Sequence, residues 1–155
     1  MLETVSCGGV VIYKGKVLLL YKSQNKKYAG WVLPKGTMEE GETFAQTAAR
    51  EVYEEANVTA KVLNYLGSTH YSFKVCEGVV NKTVHWHLMY ANSYQFKPQR
   101  EEFFADGGYY KKHEAFHLLK YNDERQMLLR AFDEYDTLQK SNHTPIKQLK
   151  NRHPR

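Results

Sequence analysis

Glu51, Glu54 and Glu55 lie near the end of a run, residues 36 to 58, that reads GTMEEGETFAQTAAREVYEEANV. Spaced three and four residues apart, they share one arc of a helix that turns ~100° per residue. Ala45, Ala49, Val52 and Ala56 fall on a neighbouring arc, which is predicted to face a core. Carboxylates so spaced repel one another, by roughly 0.2–0.5 kcal/mol per pair on an exposed helix. A divalent cation removes that repulsion, and hard oxygen donors converging on one point suit Mg²⁺ or Mn²⁺ rather than zinc. An acidic helix face in water needs no cation, so the surrounding residues must decide. Thr43 with Gln46 fits a capping box and predicts the helix start. Gly36 and Gly41 bracket the loop before it, and Glu42 precedes the cap. Arg50 can reach back to Glu42 or sideways to a carboxylate. Asn57 stands where a helix end turns left-handed.

The spacing of Gly36, Glu42, Arg50-Glu51-Val52, Glu54-Glu55 and Asn57-Val58 resembles the Nudix box. The pattern has glycine where this chain has Asn57, and its other fixed positions match. Asn is the second choice for a left-handed residue, so the departure bears on stability more than on chemistry. The resemblance implies an α/β fold, a Nudix-type α/β/α sandwich with a mixed β-sheet between helices. It also implies hydrolysis of a nucleoside diphosphate linked to another moiety. By the same resemblance Glu51 and Glu55 bind metal, and the Gly36 carbonyl completes the site. Glu54 is the general base or a ligand of a second metal, while Arg50 and Glu42 hold the catalytic helix and loop. A further acid is expected from a later loop, either Glu101 or Glu102. The chemistry is coherent: metal ions neutralise phosphate oxygens and activate water, and a carboxylate takes the proton.

Leu33-Pro34-Lys35-Gly36 leads into the box. A Pro-Lys-Gly entry resembles dinucleoside polyphosphate hydrolases and diphosphoinositol polyphosphate phosphohydrolases. Lys35 would then contact a phosphate beside the metals, and Lys82 resembles a second phosphate contact. Tyr28, Tyr71, Phe73 and Tyr121 are candidate platforms for adenine, weighed against ordinary core packing. His85 and His87 share a strand face without a third ligand at useful spacing, so they read as packing or surface residues, as does His70. The expected activity is Mg²⁺-dependent cleavage of a phosphoanhydride in a dinucleoside polyphosphate such as diadenosine tetraphosphate. An inositol pyrophosphate or an RNA 5′ end is the alternative, and the inositol reading demands a dense cation cluster. A non-catalytic nucleotide- or RNA-binding module of this fold would be expected to lose box carboxylates, and all three are present.

The elements that must position these residues follow from periodicity. Val5–Tyr13 and Val17–Tyr21 read as a hairpin, and Trp31 to Gly36 as a lead-in to the helix. Ala60–Val75 reads as a long strand with a bulge at Gly67, and Lys82–Ala91 as a strand. Ser93–Glu102 is a loop and Phe103–Tyr110 is extended. Lys112–Leu119 and Asn122–Gln139 are helices. The order β-β-α-β-β-β-α-α predicts a mixed sheet with helices on both faces.

A chain of 155 residues with 42% apolar content suits one domain, expected over residues 1–139. The net charge of +5 belongs to the remainder, 140–155, a basic polar tail that reads as solubilising. A tail that touches nucleic acid or an anionic ligand is the alternative; the charge balance before it is zero, a small nucleotide or polyphosphate is the expected partner, and nucleic acid is an unlikely one. Cys7 and Cys76 have no metal spacing and read as reduced thiols of a cytoplasmic protein. No signal peptide or membrane-spanning run is expected. Monomer and homodimer both remain open.

Overall fold

The computed structural model describes residues 2–25 and 29–141. Its centre is β1 (Leu2–Tyr13), which turns through Lys14 and Gly15 into β2 (Lys16–Lys22). Both turn residues have positive φ, 50° and 77°. The lead-in to the helix, too short to show periodicity, forms two three-residue strands, β3 (Gly30–Val32) and β4 (Lys35–Thr37). Helix α1 (Phe44–Ala56) follows, then β5 (Ala60–Val75), β6 (Gly78–Ala91) and β7 (Phe104–Lys111). The chain ends in α2 (Lys112–Leu118) and α3 (Asn122–Lys140). Strand β1 begins three residues earlier than expected because Leu2 to Thr4 pair with Val80 to Lys82 of β6, and β6 begins four residues earlier because Gly78 and Val79 pair with Val75 and Lys74 of β5.

The sheet order is β3-β2-β1-β6-β5, with β4 added beside β1 and β7 beside β2. Strands β1 and β6 run parallel and the other pairs run antiparallel, so the sheet is mixed. Alternation along each strand divides the apolar residues between two cores. Val10, Ile12, Trp86 and Leu88 pack against Met127, Leu128, Ala131 and Phe132 of α3. Cys7, Val11, Leu18, Leu20 and Met89 pack against Ala48, Val52 and Ala56 of α1. This is the expected α/β/α sandwich. The register of β5 against β6 slips at Leu63 and again at Leu66, next to Gly67, where the bulge was expected. No helix among the described residues is long and apolar enough to cross a membrane. Residues 142–155 of the basic tail, and Tyr28, lie outside the described residues.

Helix α1 forms as its sequence dictates locally. Gln46 N donates to Thr43 Oγ1 at 3.1 Å, and Thr43 N donates to Gln46 Oε1 at 2.9 Å. At the other end Asn57 takes φ 58° and ψ 35° and donates its N–H to Tyr53 O at 2.8 Å. The buried face departs from expectation. Ala48 enters the core where Ala45 was expected, and Ala45 is half-buried. The helix is rolled so that Glu51 and Glu55 go under with Val52.

The left-handed cap yields a direct test. Asn57→Val should lose roughly 1 kcal/mol, since a β-branched side chain is strained there, and Asn57→Gly should be neutral or stabilising. For a chain of this size the Val variant should melt roughly 2–4 °C below the parent. A melting temperature equal to the parent's would contradict the cap.

Candidate active site

The roll of α1 splits the three glutamates. Glu51 and Glu55 are 6% and 5% exposed. The side chain of Glu54 is 46% exposed. One carboxylate oxygen each from Glu51, Glu55 and Glu102 lies within 4.8 Å of the others. Of the two acids left open by the sequence, Glu102 therefore joins the cluster and Glu101 does not. Glu54 also stands outside this trio.

Glu102 arrives through the C-terminus of α1. The last helix carbonyls lack partners within the helix. Lys97 N donates to Ala56 O at 2.7 Å, and Gln99 N donates to Glu55 O at 2.9 Å. That docking places the single 3₁₀ turn Arg100–Glu102 over the carboxylates. Burial, and then the nearby Glu51 charge, push the Glu55 carboxyl well above its ordinary range. Burial also raises Glu51, opposed by Arg50.

Arg50 organises the approach to the site. Its Nε and Nη2 donate to Glu42 at 2.6 and 2.9 Å. Nη1 donates to Glu51 at 2.7 Å and to Glu54 at 3.2 Å. Nη2 also donates to Thr37 O at 3.0 Å. Helix α1, the preceding loop and β4 are thus tied by one guanidinium. Hydrogen bonds from Arg50, Glu39 N and Thr47 lower the Glu42 carboxyl to about 2, so Glu42 is ionised at neutral pH. Glycine at 36 is a spatial requirement: a Cβ there would fall 2.0 Å from the Glu51 carboxylate.

The three carboxylates form an all-oxygen donor set that fits Mg²⁺ or Mn²⁺. The burial of Glu51 and Glu55 side by side is costly without a cation, which is the physical argument that the residues fit a metal.

Lys35 crosses from this cluster to the other face of the sheet. It pairs with Gly8, where a Cβ would fall 2.6 Å from Lys35 Cβ. Its Nζ donates to Tyr71 Oη at 3.3 Å. Since β4 and β5 flank β1 and β6, the two side chains arch over those strands. Burial opposes the charge of Lys35, but Tyr71, Glu124 and Glu55 outweigh it, and the ammonium is favoured. Lys82 pairs in register with Tyr71, and its charge is disfavoured first by burial and then by Lys35 and Lys22. The fold thus gathers Lys22, Lys35, Lys82 and Tyr71. Phe73 lies beside Tyr71, ring centres 6.2 Å apart. Tyr121 is exposed at the N-cap of α3.

The histidines take other duties. His87 is buried against Gly8 O at 3.1 Å. His85 stacks on Phe44 and meets Tyr65 Oη at 2.8 Å. His70 Nδ1 meets Thr83 Oγ1 at 3.1 Å. Glu124 was not foreseen. Its Oε1 accepts the Leu33 N–H at 2.9 Å, and burial raises its carboxyl to about 7. In sequence, Asp123-Glu124 looks like an ordinary acidic first turn of a helix.

Among known proteins, the chain is similar to the mutator protein MutT4 of Mycobacterium tuberculosis. The two are 36% identical over 125 residues, covering 81% of this chain and 50% of that protein. A shorter match of 60 residues at 40% identity, to Nudix hydrolase 21 of Arabidopsis thaliana, covers 39% of this chain and 30% of that one. The chain thus spans half or less of the length of these relatives. Among solved structures, a NUDIX hydrolase from Nitrosomonas europaea superposes with a TM-score of 0.70 at 21% identity, covering 88% of this chain and 74% of that one. An Ap4A hydrolase from C. elegans superposes with a TM-score of 0.67 at 22% identity, covering 86% and 98%. At these identities the likeness is one of fold. The NUDIX domain model matches residues 4–132, most of the chain, and this protein belongs to the Nudix family.

Proposed function

We propose that this chain is a Mg²⁺-dependent hydrolase of a phosphoanhydride bond in a dinucleoside polyphosphate such as diadenosine tetraphosphate. One observation carries the reading. Lys35 leaves the strand beside the carboxylate trio and ends at Tyr71 near Lys82. A chain of phosphates between the trio and that cationic face would be matched along its length. Tyr71 and Phe73, 38% and 41% exposed, offer ring faces beyond it. Three lysines with an aromatic wall favour a nucleoside over an inositol polyphosphate. The fold likeness to an Ap4A hydrolase is consistent with this reading. The mycobacterial relative is named as a mutator protein, so nucleoside triphosphates belong in the same assay.

In this reading Glu51, Glu55, Glu102 and the Gly36 carbonyl hold the metal. Mg²⁺ there would offset the carboxylates' repulsion, neutralise phosphate oxygens and lower the pKa of a bound water. Glu54 faces solvent beside the trio, oriented by Arg50, and takes the proton of the attacking water. Arg50 and Glu42 keep the helix and its loop in register. Lys35 and Lys82 bind and orient phosphate oxygens on the far side of β4.

Hydrolysis should require Mg²⁺ or Mn²⁺ and cease in excess chelator. Glu55→Gln should lower kcat about a thousandfold or more, several kcal/mol of barrier at ~1.4 kcal/mol per decade. Full turnover by that variant, or by the parent in chelator, would refute the metal site.

Lys35→Ala should lower kcat/KM on a dinucleoside polyphosphate about 10- to 100-fold with the fold intact, since a charge-assisted contact is worth roughly 1.5–3 kcal/mol. A contact that strengthens as charge develops lowers kcat as well as apparent affinity. Parent values for both parameters would remove Lys35 from the site.

A further inference from the structure

We infer that Glu124, on the opposite side of the sheet from the catalytic helix, is a positioning residue that sets where Lys35 stands. The inference rests on the hydrolase reading above. Residues 31 to 35 are held at alternate peptide groups. Trp31 O accepts from Lys120 N at 3.0 Å. Leu33 N donates to Glu124 Oε1 at 2.9 Å. Lys35 N donates to Glu55 Oε1 at 3.2 Å. Pro34, between the last two, has no N–H to give, and its carbonyl accepts from Gly9 N at 3.1 Å. The peptide leading into Lys35 is therefore suspended between a carboxylate of α3 and a carboxylate of α1.

Glu124 is not needed where it lies to dock its own helix. Helix α3 is fixed to the sheet by Met127, Leu128, Ala131, Phe132 and Tyr135. Arg130 bonds Leu66 O and Arg125 bonds Phe116 O, which tie α3 to β5 and α2. An acid in a first helical turn interacts with the dipole equally well at the surface. Glu124 is instead 3% exposed, and burying a carboxylate is unfavourable unless it is paired. Its bond joins residues 91 positions apart and reaches the segment that presents the Lys35 ammonium. Leu33 itself is locked in the core, 1% exposed, so the peptide is held from both sides. An extended chain transmits a displacement directly: releasing the Leu33 N–H shifts the Lys35 side chain against Tyr71 and the bound phosphates.

A double-mutant cycle tests the inference. Glu124→Asp withdraws the carboxyl group by one methylene; Glu124→Leu removes it; Glu124→Gln keeps an oxygen for the Leu33 N–H. Each is made in the parent and in Lys35→Ala, with melting curves, and assayed with Mg²⁺ on the pyrophosphate that the parent hydrolyses fastest. Asp and Leu should lower kcat/KM about tenfold or more in the parent, mainly through kcat, and less than about threefold once Lys35 is absent. Gln should remain within about threefold of the parent, because it restores the hydrogen bond. Equal losses in the two backgrounds overturn the inference, as do parent values for Asp, or a loss in Gln as large as in Asp. A second readout needs no turnover. In Glu124→Asp the Leu33 amide should exchange faster and the amide resonances of residues 33 to 36 should move, while those of the catalytic helix stay in place. Unmoved resonances with a protected Leu33 amide overturn the inference. A parent that hydrolyses none of the substrates defeats the proposed function instead, and the amide spectra still decide the positioning.

Discussion

Two like charges buried side by side on one helix are the constraint that the rest of this structure answers. Glu51 and Glu55 are nearly free of solvent and lie within reach of each other. Each would be costly alone, and together they repel. The surroundings satisfy them at fixed points. Arg50 donates to Glu51 and also holds Glu42 and Glu54. Lys35 N donates to Glu55 from β4. The backbone at Lys97 and Gln99 closes the helix end and brings a third carboxylate, Glu102. Position 36 bears no side chain because the Glu51 carboxylate occupies that space. These partners leave an all-oxygen cluster with a net deficit of positive charge, which is where a divalent cation fits.

The sheet makes this cluster useful by giving its neighbours two faces. Strand β1 is flanked by β4 and β6, and alternate residues of each point to opposite layers. In β4 the position of Gly36 looks toward helix α1, while Lys35 looks the other way and meets Tyr71, which pairs in register with Lys82. Three residues thus connect an acidic layer with a cationic, aromatic layer. That juxtaposition underlies both the proposed substrate and the role inferred for Glu124. The bond from Leu33 to Glu124 brings α3, on the second layer, into the same arrangement.

Local signals were legible because local forces decide them. Thr43 and Gln46 cap the helix, and Asn57 ends it, through bonds within one turn. The hairpin at Lys14-Gly15, the bulge at Gly67 and the alternation of Trp86 and Leu88 with His87 and Met89 were all readable from short windows. The short strands β3 and β4 were not, since three residues carry no periodicity and pair only because β1 and β2 lie beside them. The roll of α1 was misjudged for a related reason. A helical wheel places Ala45 and Ala48 almost equally well, and contact with the sheet selected Ala48.

The sequence by itself determined helix α1 with its caps, the spacing of Arg50, Glu51, Glu54 and Glu55, and the layered α/β architecture. Each is encoded in residues a few positions apart, where covalent geometry fixes who can meet whom. Tertiary structure decided the rest. It buried Glu51 and Glu55 but left Glu54 in solvent, chose Glu102 over Glu101, joined Lys35 to Tyr71, and turned Glu124 inward onto Leu33. The last two pairings join residues 36 and 91 positions apart. A carboxylate in a loop or in the first turn of a helix looks the same in sequence whether it faces water or a partner, and only the packing of the layers determines which.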